Sequence, residues 1–150
     1  MAEVEKIAEL QEKLSLYHKK FDPNFYVFNK NAKGIWVKFA KKLIRNKNGI
    51  LLVCVNKNRI VGYTLGLIKN KPPVYKIKKF GLISDIFVEK DYRNKGIARK
   101  FVTELMRWFK SKQLSYTELT VDSKNRLALK VYNKLGFKEY RKIMKKEINL

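Results

Sequence analysis

Apolar positions early in the chain recur every three or four residues. Val4, Ile7, Leu10, Leu14, Tyr17 and Phe21 make one face of a helix, which Asp22-Pro23-Asn24 stops. A second helix carries Trp36, Phe39, Ala40, Leu43 and Ile44 and ends around Asn46-Lys47-Asn48-Gly49. The period then shortens. Ile50 to Val55 is an apolar run of strand length, Asn56-Lys57-Asn58 a turn, and Arg59 to Ile68 a second strand, together a β-hairpin. Lys71-Pro72-Pro73 interrupts, and Gly81 to Val88 reads as another strand. Ile97, Phe101, Leu105 and Phe109 lie at i+4 intervals on a helix opening at Gly96. Tyr116 to Val121 is a strand, and Asn125 to Leu135 a helix that turns Leu127, Ala128, Val131, Tyr132 and Leu135 inward. Gly136 ends that helix as its C′ residue, and Phe137 returns the chain to extended structure.

A hairpin followed by βαβ crossovers predicts an α/β (α+β) fold, with a mixed sheet and helices on its faces. A length of 150 residues suits a single domain, 1–150, and 45% hydrophobic residues suffice for a core. Internal repeats, low-complexity tracts and Gly/Ser linkers are absent from the sequence. No apolar run reaches membrane-spanning length and the N-terminus is acidic and amphipathic, so a soluble, intracellular, cytoplasmic protein with no membrane partner is expected. One Cys excludes an intrachain disulfide, and a single His leaves almost no ligands for zinc, so no metal is expected. Cys54, in an apolar strand, reads as buried core.

Charge changes the picture. The chain has 35 Lys and Arg against 13 Asp and Glu, a formal net charge of +22. Pairing cannot neutralise that excess, so the surface should attract polyanions in a salt-dependent way and disfavour strongly cationic substrates. A coding bias toward Lys, Asn and Ile accounts for part of it, so composition does not decide whether the charge serves a partner.

The chemistry concentrates in Val88-Glu89-Lys90-Asp91-Tyr92-Arg93-Asn94-Lys95-Gly96-Ile97-Ala98-Arg99-Lys100. Here a strand ends, a short polar loop follows, and a long amphipathic helix opens at a glycine. The free N–H groups and positive dipole end of a helix's first turn form an anion site. Gly96 permits close backbone approach, Ala98 does not block it, and Arg93, Lys95, Arg99 and Lys100 add positive charge. An ordinary glycine near a helix start among solvated lysines would look the same. Neither a P-loop nor a Rossmann fingerprint is present.

Arg93-x-x-Gly96-x-Ala98, after the strand Ile83-Ser84-Asp85-Ile86-Phe87-Val88, resembles the acetyl-coenzyme A signature of the GNAT N-acetyltransferase superfamily. The later stretch Asn125-x-x-Ala128-x-x-x-Tyr132-x-x-x-Gly136-Phe137 resembles the superfamily's next helix, in the expected order. The resemblance covers about Ile50 to Phe137. It implies a GNAT-like sheet, mostly antiparallel, in which the strand ending Ile86-Phe87-Val88 splays from Tyr116–Val121 and pairs its backbone with the pantetheine arm. By the same resemblance, the Ile86 N–H polarises the thioester carbonyl. Arg93, Asn94, Lys95, Gly96, Ile97, Ala98 and Arg99 cradle the pyrophosphate, and Asn125 contacts the cofactor arm. Tyr132 lies beside the sulfur as general acid, its alternative being a core aromatic. The implied activity is acetyl transfer from acetyl-coenzyme A to a primary amine by direct attack. The acceptor is a small molecule or a peptide.

The general base is open. Strict alternation puts Leu82, Ser84 and Ile86 on one face and Ile83, Asp85 and Phe87 on the other. The family's usual glutamate positions are then held by Leu82 and Ser84, and Asp85, the strand's only carboxylate, points away from the thioester. Ser84 with a water chain, or amines arriving neutral, are the expected routes. His18 and Asp22 end the first helix, near the region that shapes the acceptor site in this superfamily; a cap or surface role is the alternative. Helical periodicity begins at Val4 with no strand before it, so the sheet is expected to lack the family's first strand. That would expose an edge which a second subunit could cover, giving a homodimer. The competing class is a GNAT-like binding module that places its Lys-rich surface on nucleic acid or ribosomes. No nucleic-acid-binding signature accompanies the charge, so such contact would be non-specific.

Overall fold

A computed structural model describes residues 2–149. Helix α1 (Ala2–Lys19) has Glu3 and Glu5 in its first turn and Lys19 in its last, a charge order that suits the helix dipole. Helix α2 (Ala32–Arg45) follows, then strands β1 (Gly49–Asn56), β2 (Arg59–Asn70) and β3 (Lys79–Val88). A 3₁₀ turn at Lys90–Tyr92 leads into α3 (Ile97–Ser111), β4 (Thr117–Leu119) and α4 (Arg126–Lys134). The sheet order is β1-β2-β3-β4, antiparallel except for the parallel pair β3–β4.

Two apolar layers clasp the sheet. On one face, Ile7, Leu10 and Leu14 of α1 pack with Tyr63 and Phe87, and Trp36 of α2 leans on the same cluster. On the other, Val102, Leu105 and Phe109 of α3 pack with Ile83. The central strand β2 is covered on both sides, so consecutive residues Tyr63, Thr64 and Leu65 are all fully buried. Helix α3 approaches the sheet closely because Gly81 carries no side chain. A Cβ there would lie 2.7 Å from the Phe109 ring. Truncating Leu105, which is wholly buried, would cost about 2–5 kcal/mol.

One irregularity in the sheet governs everything that follows. Leu65 pairs with Asp85 and Gly66 with Ile83, leaving Ser84 without a partner on β2. This is a β-bulge, one extra residue on β3 that breaks the inward–outward alternation. Ile83 therefore packs toward α3, whereas Phe87, expected on the same face, packs toward α1. Asp85 turns with Phe87, and its carboxylate accepts a hydrogen bond from the Tyr63 hydroxyl at 3.0 Å. The strict alternation read from the sequence is corrected accordingly, and with it the facing of Asp85.

Other differences are local. The strand expected at Tyr116–Val121 is confined to Thr117–Leu119, and residues 137–149 form no regular strand. Leu127 is 59% exposed instead of inward, and Phe39 and Ile44 of α2 also face water. Cys54 is half-buried, because β1 is an edge strand. Among the described residues the first element is α1, with no strand before it. No helix among them is long and apolar enough to cross a membrane.

Candidate functional site

Strands β3 and β4 pair through only three positions: Gly81 with Thr117, Leu82 with Glu118, and Ile83 with Leu119. Beyond Ile83, β3 has no β4 partner, so the backbone groups of Ile86 and Val88 on this edge are left unpaired in the sheet, whereas those of Phe87, expected to join them, face β2 opposite Tyr63. A cavity of about 250 Å³ opens where the strands part. Its lining brings together Ser84, Asp85 and Ile86 from β3, Asp122 from the segment after β4, Asn125, Ala128 and Tyr132 from α4, and His18 from α1.

The loop that leaves β3 forms the next part of the site. The Arg93 Nε donates to the Val88 carbonyl at 2.9 Å and its guanidinium lies over the Phe87 ring, tying the loop to the strand end. The Lys95 ammonium lies over the Tyr92 ring. Asn94 and Gly96 both adopt positive φ, at 60° and 78°. Two left-handed residues this close together turn the main chain sharply just ahead of α3. Gly96 is the N-cap of α3 and supplies no side-chain acceptor for the N–H groups of Ile97, Ala98 and Arg99. A Cβ at Gly96 would meet nothing within 4 Å, so open space lies before this turn. Arg93, Lys95, Arg99 and Lys100 are all exposed around it. Unpaired strand edge, uncapped N–H groups at the start of α3 and exposed cations together fit a ligand that has a pyrophosphate and an extended amide arm.

The polar groups of the cavity are held in definite states. Both oxygens of Asp85 accept hydrogen bonds at 3.0 Å, Oδ2 from the Tyr63 hydroxyl and Oδ1 from the Ser84 hydroxyl. Burial pushes the Asp85 carboxyl above its ordinary value, while these donors and the His18 imidazole pull it back. Tyr63 is raised far above the normal phenol range, first by burial and then by the charge of Asp85. The Tyr132 phenol is also raised by burial, with Asp85 contributing, so it keeps its proton at neutral pH. Asn125 is buried and its side-chain oxygen caps α4 by accepting from the Ala128 N–H at 3.1 Å. Its amide nitrogen is the polar group left for the cavity.

Sequence reasoning placed Ile86, Ser84, Asn125 and Tyr132 around one site, and these four share the cavity lining. It turned Asp85 away from the site on the alternation argument, whereas Asp85 lines the same cavity because of the bulge. Asp122 was missed altogether. The adjacent polar pair Ser84-Asp85 inside an apolar strand was the available signal for the bulge; nothing local marks Asp122. Among the described residues no group of three or more His, Cys, Asp and Glu is placed to hold a metal ion.

The family profile described as "Acetyltransferase (GNAT) family" matches residues 8–137. An uncharacterized N-acetyltransferase of Methanocaldococcus jannaschii is 28% identical over 134 residues, which is 87% of this chain and 57% of that protein. The chain thus spans little more than half the length of that relative. A tetramutant of the BH1408 protein from Bacillus halodurans superposes with a TM-score of 0.81 at 22% identity, covering 95% of this chain and 92% of that one. The aminoglycoside N-acetyltransferase AAC(6')-Iy, bound to a bisubstrate analogue of coenzyme A and acetylneamine, gives 0.75 at 15% identity, covering 100% and 94%. With a splayed β3–β4 edge, a glycine-capped α3 and a profile match over most of its length, the chain belongs to the GNAT acetyltransferase family.

Proposed function

We propose that the protein transfers the acetyl group of acetyl-coenzyme A to a primary amine by direct attack. The observation that carries this reading is the continuity of the cleft. The unpaired edge of β3 runs between the Gly96 turn at one end and the cavity containing Tyr132 at the other.

When bound, the cosubstrate supplies the activated acetyl thioester. The N–H groups from Arg93 to Arg99 hold its phosphates, helped by their cationic side chains, and Val88 offers strand hydrogen bonds to its arm. Asn125 steadies the arm from the α4 side. The Ile86 N–H polarises the thioester carbonyl, a fixed dipole directed at developing negative charge. Tyr132 gives its proton to the departing sulfur; burial and the nearby Asp85 carboxylate support this by keeping the phenol protonated until it is needed. Ser84, bonded to Asp85, acts as a relay hydroxyl for protons crossing the bulge. The homodimer and any contact with nucleic acid remain secondary proposals, the first supported by the half-exposed edge strand β1 and the second only by net charge.

Calorimetry and thermal shift with acetyl-coenzyme A test the reading. Ligand at about a hundred times its dissociation constant should stabilise the fold by roughly 2.7 kcal/mol. Thiol release should then follow addition of a primary amine. No binding at millimolar ligand would overturn the enzymatic reading in favour of a binding module.

A further inference from the structure

The ionisable lining of the cavity runs against the charge of the chain. Lys and Arg make up 35 of 150 residues, yet none lines the cavity, while Asp85 and Asp122 both do. Asp122 Oδ1 accepts from the Lys124 backbone N–H at 2.8 Å, and Asp85 is held by Tyr63 and Ser84. Among the described residues neither carboxylate is in a salt bridge, whereas Asp22, nearby on the α1–α2 connection, is paired with Lys145. Two partly buried carboxylates without a cationic partner are costly unless something positive comes to them.

The same cavity is lined by the chain's only histidine. His18, near the C-terminal end of α1, is half-buried, and its ring lies 5.4 Å from the Tyr26 ring and 6.3 Å from that of Tyr17. The groups facing it are Asp85 from β3, Asp122 from the segment after β4, and Tyr26 from the α1–α2 connection. Tyr132 of α4 lines the same cavity, and the Asp22–Lys145 pair is near enough for the Lys145 ammonium to feel the Asp122 charge.

We propose that the α1 end of this cavity is the acceptor chamber for a singly protonated primary amine, and that His18 is the base that takes its proton. This rests on the acetyltransferase reading and supplies the base missing from it. Asp85 and Asp122 draw in the ammonium group, and the rings of His18 and Tyr26 offer a flat wall to its body. Burial holds the imidazole below its ordinary value against the pull of Asp85 and Asp122, so at neutral pH its lone pair is free. After transfer, the same two carboxylates stabilise the imidazolium. Asp85 already holds the Tyr63 and Ser84 hydroxyls, one on each oxygen.

The step balances. The ammonium gives one proton to His18, and the freed lone pair forms the C–N bond at the acetyl carbonyl carbon. The C–S bond breaks with its electrons on sulfur, and Tyr132 protonates the thiolate. The nitrogen's second proton returns to Tyr132, and His18 releases the first to solvent. Outside the chamber the protein is strongly positive, so the second and later charges of a polyamine meet repulsion. A monocation is the preferred substrate class.

A single histidine makes the test direct, because its imidazole gives one unambiguous NMR signal. In the wild type that signal should titrate below the ordinary histidine value and move on adding tyramine, a monocationic aromatic amine, and less with the polycation spermine. His18→Asn should bind acetyl-coenzyme A like the wild type, by thermal shift, yet lose at least about tenfold in kcat/KM for tyramine. The fall in rate on the acid side of the wild-type pH profile should vanish with it. Asp122→Asn, a second variant, should raise KM for tyramine several-fold with little change in kcat. If folded, acetyl-coenzyme A-bound His18→Asn keeps the wild-type rate and acid limb, His18 is not the base and the proposal is wrong. A wild type that never binds acetyl-coenzyme A would bring down the enzymatic reading itself, and this role with it.

Discussion

At the α3 end of the cleft, positive potential comes from main-chain N–H groups and from Arg93, Lys95, Arg99 and Lys100, which stay in water. At the α1 end, negative potential comes from Asp85 and Asp122, drawn partly into the protein and held by short-range hydrogen bonds. The first region agrees with the net charge of +22 and the second opposes it. The difference teaches that the formal charge of a chain predicts its far field, whereas selectivity at a few ångströms is set by which few groups the fold brings inward. A cationic acceptor, disfavoured by the global count, would under the proposed reading be favoured where it reacts.

The largest effect should come from attacking the main-chain end. Gly96→Val places a β-branched residue at a φ of 78°, a backbone region costing a non-glycine residue about 1–3 kcal/mol, and fills the space before α3. Acetyl-coenzyme A binding, measured by calorimetry, should fall by roughly a hundredfold or more at low and high salt alike, because short contacts are weakly screened. Normal binding by this variant would move the phosphate site elsewhere.

Next comes the group between the two ends. Tyr132→Phe keeps the ring and removes the proton donor, so the turnover rate should drop by roughly ten- to a thousandfold while cosubstrate affinity holds. An unaltered rate with a good acceptor would make Tyr132 a packing residue only.

A smaller effect reports on the buried end without any substrate. His18 is held below 6.5 by burial, so just under that pH the unfolded chain binds a proton that the folded chain declines. Its contribution to stability is complete above the unfolded value and is lost as pH falls through the folded one. Between roughly pH 7 and pH 5, the wild type should therefore lose more melting temperature than His18→Gln. Parallel curves would mean that His18 is not held neutral by its surroundings.

The smallest effect should come from the far field. Lys110 and Lys112 lie at the opposite end of α3 from Gly96, about 20 Å away at 1.5 Å per residue. Replacing both by Gln should weaken acetyl-coenzyme A slightly at low salt and not at about 0.15 M, where charges beyond about 8 Å are screened. A large loss at both salts would mean that net charge, not the turn, governs affinity.

The cationic end was legible in the sequence because it is local. The strand, the loop and the glycine of α3 are consecutive, and Arg93-x-x-Gly96-x-Ala98 carries its own geometry. The helical faces of α1 and α3 were legible for the same reason, their periods being written over fifteen or more residues. The acidic end was not. His18, Asp85 and Asp122 are far apart in the chain; the parallel β3–β4 crossover brings the two carboxylates together, and the packing of α1 on the sheet adds His18. The bulge at Ser84 adds one residue and leaves no mark on composition, yet it reverses the facing of Asp85. Alternation fails at a single inserted residue, and here that residue lies in the site.

The three-position pairing of β4 also has a consequence for time. One wall of the cleft, from β4 through α4, hangs on three sheet positions, and α4 has no fully buried residue, while α3 buries four. Regions with so little burial open at a free energy well below that of global unfolding. Amide protons of α4 should therefore exchange with solvent long before those of β2, whose Tyr63, Thr64 and Leu65 are wholly enclosed. A ligand that bridges the β3 edge and Asn125 would tie the loose wall to the rigid one. Its arrival would be read as slowed exchange in α4, and its departure would be timed by how often that wall swings away.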